Sequence, residues 1–330
     1  RSSENLTSWS GNVHTVPFSV SLRNGHAMIR RKLEFDFVAQ RLSLDRNALV
    51  LLRICLGVVI VVDIFSRCSD TLAWYTDTSL SLLEPSDTKH KSVIHRIWFY
   101  RSSTAIQAFT MVFTAVVALG FSFGTRTELT TPLLFLLTTR YQEQAPHIET
   151  GGDRLVRHVL LWCCFLPLQN EFLAGRSLPL SRLDVGLSSR QKPPPATHFS
   201  LASAGLKLQV AAMYWEAALC RSSEWWPPQL SAVHYMLGGS FAARPFGSWL
   251  AATFPSACRA LTAAAQATEL LAPALMIAIP SASELQLVPI AALVALQLGI
   301  LATMAIPIFQ TISIAVMVAF LPPRHAAALV

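Results

Sequence analysis

The chain has 330 residues, of which 52% are hydrophobic and only 14% are charged, and its mean hydropathy is +0.44. Soluble domains carry about 25% charged residues, so the composition argues against a water-soluble enzyme. The 26 basic and 19 acidic residues give a net charge of +7. The basic residues stand singly at the ends of apolar runs, whereas nucleic-acid binding needs them clustered on one face. We therefore expect a membrane protein with no nucleic-acid partner.

Residues 1–46 are polar and have no apolar period, and we interpret them as a solvent-exposed N-terminal arm. Within this arm, residues 30–37 combine three basic side chains with two phenylalanines. This pattern suits either an interfacial helix or an ordinary loop. A membrane domain is predicted over 47–323, followed by a short tail over 324–330.

Apolar runs follow the arm in close succession. The first, Asn47–Ser66, is long enough to cross about 30 Å of hydrocarbon. The others are predicted at 103–123, 129–139, 155–168, 199–220, from about 246, 268–281, 285–304 and 307–321. A short or re-entrant helix is also expected between 229 and the run from 246. The fold prediction is an all-α, multi-pass transmembrane bundle of about eight spans, with six to nine compatible with the pattern.

Two helix boundaries are predicted from local chemistry. Asp153 follows two glycines and precedes an apolar run, so it is a reasonable N-cap. Pro227 and Pro228 are expected to keep the fifth run from continuing as helix.

No metal site is predicted. The six cysteines form no CxxC motif and no Cys/His pair at zinc spacing, and no two histidines have the spacing of metal ligands.

Several short motifs occur in a set order along the chain. The N-terminal half has Leu52-Arg53-Ile54, Asp63, Arg67, Trp74-Tyr75, IETGGDRL from Ile148 to Leu155, Leu161-Trp162 and Phe165-Leu166-Pro167-Leu168. The C-terminal half has Leu208-Gln209-Val210, YWEAAL from Tyr214 to Leu219, Trp226, Phe309-Gln310 and Phe320-Leu321-Pro322. In the order and spacing of these motifs, the chain resembles the horizontally transferred transmembrane (HTTM) domain family over roughly 42–323. That domain is the membrane part of vitamin K-dependent gamma-carboxylase and its relatives.

The resemblance implies a catalytic lysine that this chain does not place where the family has it. In the family, a lysine just after the YWEAAL-like stretch deprotonates vitamin K hydroquinone, and here Cys220 and Arg221 occupy those positions. A guanidinium stays protonated and cannot take a proton. Lys207 lies 14 residues earlier, about 21 Å away along one helix, and we expect it to snorkel to the interface. The family's carboxylation chemistry is therefore not expected.

Charged and aromatic residues inside the runs are candidate pocket residues. Arg53 and Asp63 either line a polar pocket or form interhelical salt bridges, and the latter is favoured because intramembrane charges usually pair. Glu216 is either a buried base or a helix-end partner of Arg221, again the favoured alternative. His158, Tyr214 and Trp226 complete the candidate pocket.

Two functions follow from these patterns. The first is a non-catalytic accessory or structural subunit of a larger membrane complex, whose partners are other membrane subunits and lipids. It requires no cofactor and is compatible with a bound lipid or quinone. The second is a carboxylase-like enzyme acting on a quinol or lipid, with Glu216 or Cys220 as the base. An Arg-rich, Lys-poor chain that starts at Arg1 favours a mitochondrial inner or thylakoid membrane, with the endoplasmic reticulum as the alternative.

Overall fold

The computed structural model describes residues 34–68, 75, 103–144, 149–169, 196–220, 225–306 and 308–330. The chain divides into two units, Arg1–Gln40 and Arg41–Val330. In the first unit, residues 34–40 are helical. The end of the segment predicted at 30–37 is therefore helix, and its first residues lie outside the described part.

The described part of the second unit consists mostly of helices. They are α1 (Arg46–Cys68), α2 (Thr104–Phe123), α3 (Thr127–Gln144), α4 (Gly151–Cys163), α5 (Leu201–Leu219), α6 (Ala232–Gly239), α7 (Pro245–Thr253), α8 (Pro255–Ala278), α9 (Leu287–Thr303), α10 (Phe309–Met317) and α11 (Pro323–Leu329). Short 3-10 turns at Glu284–Gln286 and Val318–Phe320 extend α9 and α10. Two short strands, β1 (Leu44–Asp45) and β2 (Thr197–His198), pair antiparallel just before α1 and α5.

In the described ranges, four helical segments are long and apolar enough to cross a membrane: α1, α2, α8, and Glu284–Thr303, which contains α9. A fifth is obtained if α10 and α11, which meet at a sharp bend, are treated as one broken span. The prediction of a helical integral membrane protein is confirmed at this level, but the count of about eight spans is not. Among the other predicted spans, α4 has only 13 residues, α3 carries three charged side chains and α5 carries two.

The short helix expected between 229 and the run from 246 is present as α6, but the region from 246 to 281 is organised differently from the prediction. The span expected from about 246 and the apolar run at 268–281 are not two crossings. Residues 245–253 form the short helix α7, and α8 then runs unbroken over 24 residues from Pro255. Proline starts a new helix here because its fixed φ and missing N–H suit the first helical position.

Local chemistry explains where several helices begin and end. The Asp45 carboxylate caps α1 by accepting hydrogen bonds from the backbone N–H groups of Asn47 at 2.9 Å and Ala48 at 3.2 Å. Helix α2 ends at Gly124, whose φ of 77° lies in the left-handed region, where a side chain would be strained. Helix α5 ends at Leu219, eight residues before the proline pair that was expected to prevent its continuation.

Helix α1 lies at the centre of the packing. It runs along α2 and also contacts α10 and α11, and its apolar side chains form a large part of the core. At Gly57 the two helices approach so closely that a Cβ atom would collide with the Ser122 side chain and the Ala118 carbonyl. Small residues at such crossings let transmembrane helices pack closely.

We predict that Gly57→Val separates α1 from α2. Because the added methyl groups have no space, overpacking is expected to lower the free energy of unfolding by about 1–3 kcal/mol. The measurement is denaturant unfolding in mild detergent. Gly299→Ala on α9 is the control, since a Cβ there meets nothing within 4 Å, and it should unfold like wild type. Equal stability of Gly57→Val and wild type would show that the close crossing is unimportant.

Candidate functional site

A buried ion-pair cluster joins α1 to α4. Arg67, in the last turn of α1, donates from Nε to both carboxylate oxygens of Asp63 at 2.9 Å. Its Nη2 donates to Oδ1 of Asp153 on α4 at 2.5 Å. Both carboxylates are buried. One guanidinium therefore bridges two carboxylates that lie 90 positions apart in the sequence.

Three polar side chains add to this cluster. The Tyr141 hydroxyl of α3 donates to Asp63 at 3.0 Å, and the Gln142 amide donates to Asp153 at 3.2 Å. Nη1 of Arg67 donates to the Tyr75 hydroxyl at 2.7 Å. Burial raises the pKa of Tyr75 above its ordinary value, although the neighbouring Arg67 opposes the shift. We call Asp63, Arg67, Tyr75, Tyr141, Gln142 and Asp153 the charged cluster.

Asp153 was expected to be the N-cap of α4, but the N-cap lies three residues earlier in the chain. Thr150, not Asp153, is the N-cap of α4, and Asp153 occupies the third helical position. Its Oδ2 accepts from the Thr150 backbone N–H at 2.7 Å and from the Thr150 hydroxyl at 2.9 Å, while Thr150 caps the Asp153 N–H in return. In this capping box, Oδ2 fixes the start of α4 and leaves Oδ1 for Arg67.

Arg53 lies apart from the charged cluster. Its side chain is 1% exposed, and Nη1 donates to the Leu168 carbonyl at 2.6 Å. The guanidinium fills the space beside Gly124, where a Cβ would collide with it. Arg53 of α1 thus contacts two other segments: it donates to the Leu168 carbonyl after α4 and packs against Gly124 after α2. Its hydrogen-bond acceptor is a neutral carbonyl and not a carboxylate. Two arrangements were predicted for Arg53, an interhelical salt bridge or a polar pocket that it lines together with Asp63. Within the described residues it forms neither.

Tyr214 is the centre of a second polar cluster, between α5, α8, α9 and α10. Its hydroxyl accepts a hydrogen bond from Nε2 of Gln297 on α9 at 3.0 Å. The Ser313 hydroxyl of α10 lies beside the same oxygen, and Glu269 of α8 is near enough to act on it electrostatically. Gln310 is buried one turn before Ser313 on α10. We call Tyr214, Glu269, Gln297, Gln310 and Ser313 the polar seam.

Lys207 belongs to a third cluster and does not snorkel as expected. It is 1% exposed, and its Nζ donates to the Arg41 carbonyl at 2.7 Å and to the Ser281 hydroxyl at 3.0 Å. Ser281 also donates to the Arg41 carbonyl at 2.8 Å. Asp45 lines the same small depression as Lys207, and burial raises the pKa of Asp45 against the opposing effect of its helix-capping bonds. The amine therefore ties the chain before α1 to α5 and to the α8–α9 connection.

The remaining predicted pocket residues do not converge. Glu216 and Cys220 are exposed on α5, whereas Tyr214 is buried, since two residues along a helix reverse the face. His158 is exposed on α4, Trp226 is half-buried after α5, and Arg221 lies outside the described residues. Within the described ranges, Asp63 and Tyr214 stand in separate clusters.

The pairing of Arg67 with Asp153 and the polar seam were not predicted from the sequence. The spacing of Asp63 and Arg67, four residues apart on one helix, was an available signal for that pair, but no local signal pointed to Asp153. For the polar seam, the available signal was the set of amide side chains within almost uncharged apolar runs. Among the residues that the structure describes, no group of three or more His, Cys, Asp or Glu side chains could hold a metal ion.

No protein-family model matches the chain, and neither does any curated protein or solved structure. The resemblance to the HTTM domain family therefore stays a prediction made from the motifs.

We predict that Arg67→Met strongly destabilises the bundle. Removing one partner of a buried ion pair leaves uncompensated charge and costs about 3–5 kcal/mol, here from Asp63 and Asp153 together. The measurement is the midpoint of unfolding in mild detergent. The control is Glu284→Gln, which breaks a half-exposed pair with His325 and should cost at most about 1 kcal/mol. Similar losses in the two variants would contradict a special role for the charged cluster.

Proposed function

We propose that the protein is a non-catalytic membrane subunit that packs against another membrane protein through the outer face of α8 and α9. The α1 window is 61% buried within the chain, but the α8 and α9 windows are only 28% buried. Of the four candidate spans in the described residues, these two therefore leave the largest share of their length open to lipid or to a partner.

The pattern on α8 carries this proposal. Six of its exposed residues recur at alternating spacings of four and three, and five of the six are alanine: Ala260, Ala264, Ala267, Leu271, Ala274 and Ala278. This spacing is the seam of a left-handed helix pair, and small side chains let membrane helices approach closely. A helix that faced lipid alone would not need such a periodic line of small residues.

Helix α9 extends the same surface. Its exposed residues repeat at the same alternating spacing, as Val288, Ala291, Ala295 and Leu298. Since α8 and α9 pack against each other, the two lines give a partner helix a broad apolar face. We call this surface the alanine face.

The charged residues support a structural role. Arg53, Arg67 and Lys207 each bond to chain segments distant in sequence, so these side chains help to hold the bundle together.

We further propose that α3, α4, α5 and α10 complete a bundle of about eight crossings of the HTTM type. For the location, we propose a mitochondrial inner or thylakoid membrane, which subcellular fractionation can test.

We predict that Ala267→Trp dissociates the protein from its complex. An indole at the centre of the alanine face prevents close helix approach, so native gels in mild detergent should show the variant at a lower mass than wild type. The control is Val116→Trp, which places the same bulk on the exposed side of α2 and should co-migrate with wild type. A wild-type chain that migrates as a monomer would contradict the proposal.

A second candidate function, carboxylase-like catalysis on a quinol or lipid, is favoured by one observation. Lys207 places a buried amine on α5, the helix whose family counterpart precedes the catalytic lysine. The expected result for the subunit proposal is that purified protein shows no quinol-dependent epoxide formation or CO₂ fixation. Turnover that is lost in Lys207→Met, Glu216→Gln or Cys220→Ala would replace the first proposal by the second.

A further inference from the structure

The polar seam contains buried polar atoms whose hydrogen-bonding capacity is unfilled. Neither the amide nitrogen nor the amide oxygen of Gln310 has a hydrogen-bond partner, and the same holds for the amide oxygen of Gln297 and the hydroxyl of Ser313. All three side chains are at most 1% exposed. An unsatisfied buried polar group costs about 1–3 kcal/mol, and folded proteins fill almost all such groups with protein or ordered water.

Unfilled atoms alone do not set the seam apart. The Gln286 amide nitrogen donates to the carbonyls of Met276 at 2.9 Å and Ile279 at 2.6 Å, but its amide oxygen also has no partner. The seam differs because two of its side chains with unfilled atoms, Gln297 and Ser313, come from different helices and lie beside one hydroxyl, that of Tyr214.

The unfilled atoms define the chemistry of what binds. Gln310 presents both a donor and an acceptor, Gln297 presents an acceptor, and Ser313 presents a hydroxyl that can do either. A cation would satisfy the oxygens but would leave the Gln310 N–H groups without an acceptor. A neutral hydroxyl donates and accepts together, so an alcohol can fill one amide oxygen and one N–H group, and water, with two O–H donors, can fill both amide oxygens.

We propose that the polar seam binds a neutral hydroxyl group beside Tyr214, between Gln297, Gln310 and Ser313. The hydroxyl is supplied either by an ordered water molecule or by the head of an apolar alcohol that enters from the lipid. The seam is thus a ligand site inside the helical bundle, independent of the alanine face and of the subunit role.

Radiolytic hydroxyl-radical footprinting of the delipidated protein in H₂¹⁸O tests the proposal, because bound water oxidises adjacent side chains even when they are buried. Tyr214 and Tyr141 are each 2% exposed, so they form a matched pair. We expect Tyr214 to be oxidised, with ¹⁸O incorporation, several-fold more than Tyr141. Oxidation of Tyr214 no greater than that of Tyr141 in the wild-type protein would overturn the proposal.

Variants and an added alcohol identify the site and the source. Gln297→Met combined with Gln310→Met keeps the side-chain size and should reduce Tyr214 oxidation to the level of Tyr141, whereas Gln286→Met should leave it unchanged. Undiminished oxidation of Tyr214 in a folded double variant would also overturn the proposal.

The source of the hydroxyl is identified by adding dodecanol, with dodecane as the control. If dodecanol abolishes Tyr214 oxidation and dodecane does not, the bound group is the head of an apolar ligand. Unchanged oxidation identifies water.

Discussion

The Arg67 guanidinium, held between Asp63 and Asp153, is the interaction on which the first half of the bundle depends. Charges inside an apolar bundle cost several kcal/mol unless they are paired and hydrogen-bonded. Here the pairing comes with further bonds from Tyr141 and Gln142. Because these side chains come from α1, α3 and α4, all three helices must be in place before the charges are satisfied. The cluster therefore fixes the ends of these helices relative to one another.

The buried polar groups differ in how many of their hydrogen bonds are formed. That difference separates groups that hold the helices together from groups that can bind a ligand. Arg67 and Lys207 bond to distant segments through carbonyls or carboxylates. The amides of Gln297 and Gln310 keep unused donors or acceptors in an equally buried setting. Groups of the first kind stabilise one arrangement of helices, whereas groups of the second kind can gain free energy by binding a ligand. The proposed role of the alanine face is different, because it would offer a partner helix a complementary shape without polar groups.

Much of the fold follows from the sequence where apolar runs are long and sharply bounded. The predicted spans Asn47–Ser66 and 103–123 agree within two residues with α1 and α2. Prediction failed between 246 and 281, where alanine gives little contrast between apolar and polar faces and Pro255 starts a helix instead of ending one. Asp63 and Tyr214 were identified as candidates because polar groups stand out in apolar runs. The distant members of their clusters could not be identified, since Asp153 reaches Arg67 and Gln297 reaches Tyr214 only by tertiary packing.

A double-mutant cycle between Arg67 and Asp153 tests most directly whether buried charge holds the helices together. The free energy of unfolding is measured in mild detergent for wild type, Arg67→Met, Asp153→Asn and the double variant. Contacting residues in one network show coupling of about 0.5–3 kcal/mol, and the upper half of that range is predicted for this pair. A coupling energy near zero would contradict the account, because the two side chains would then contribute to stability independently.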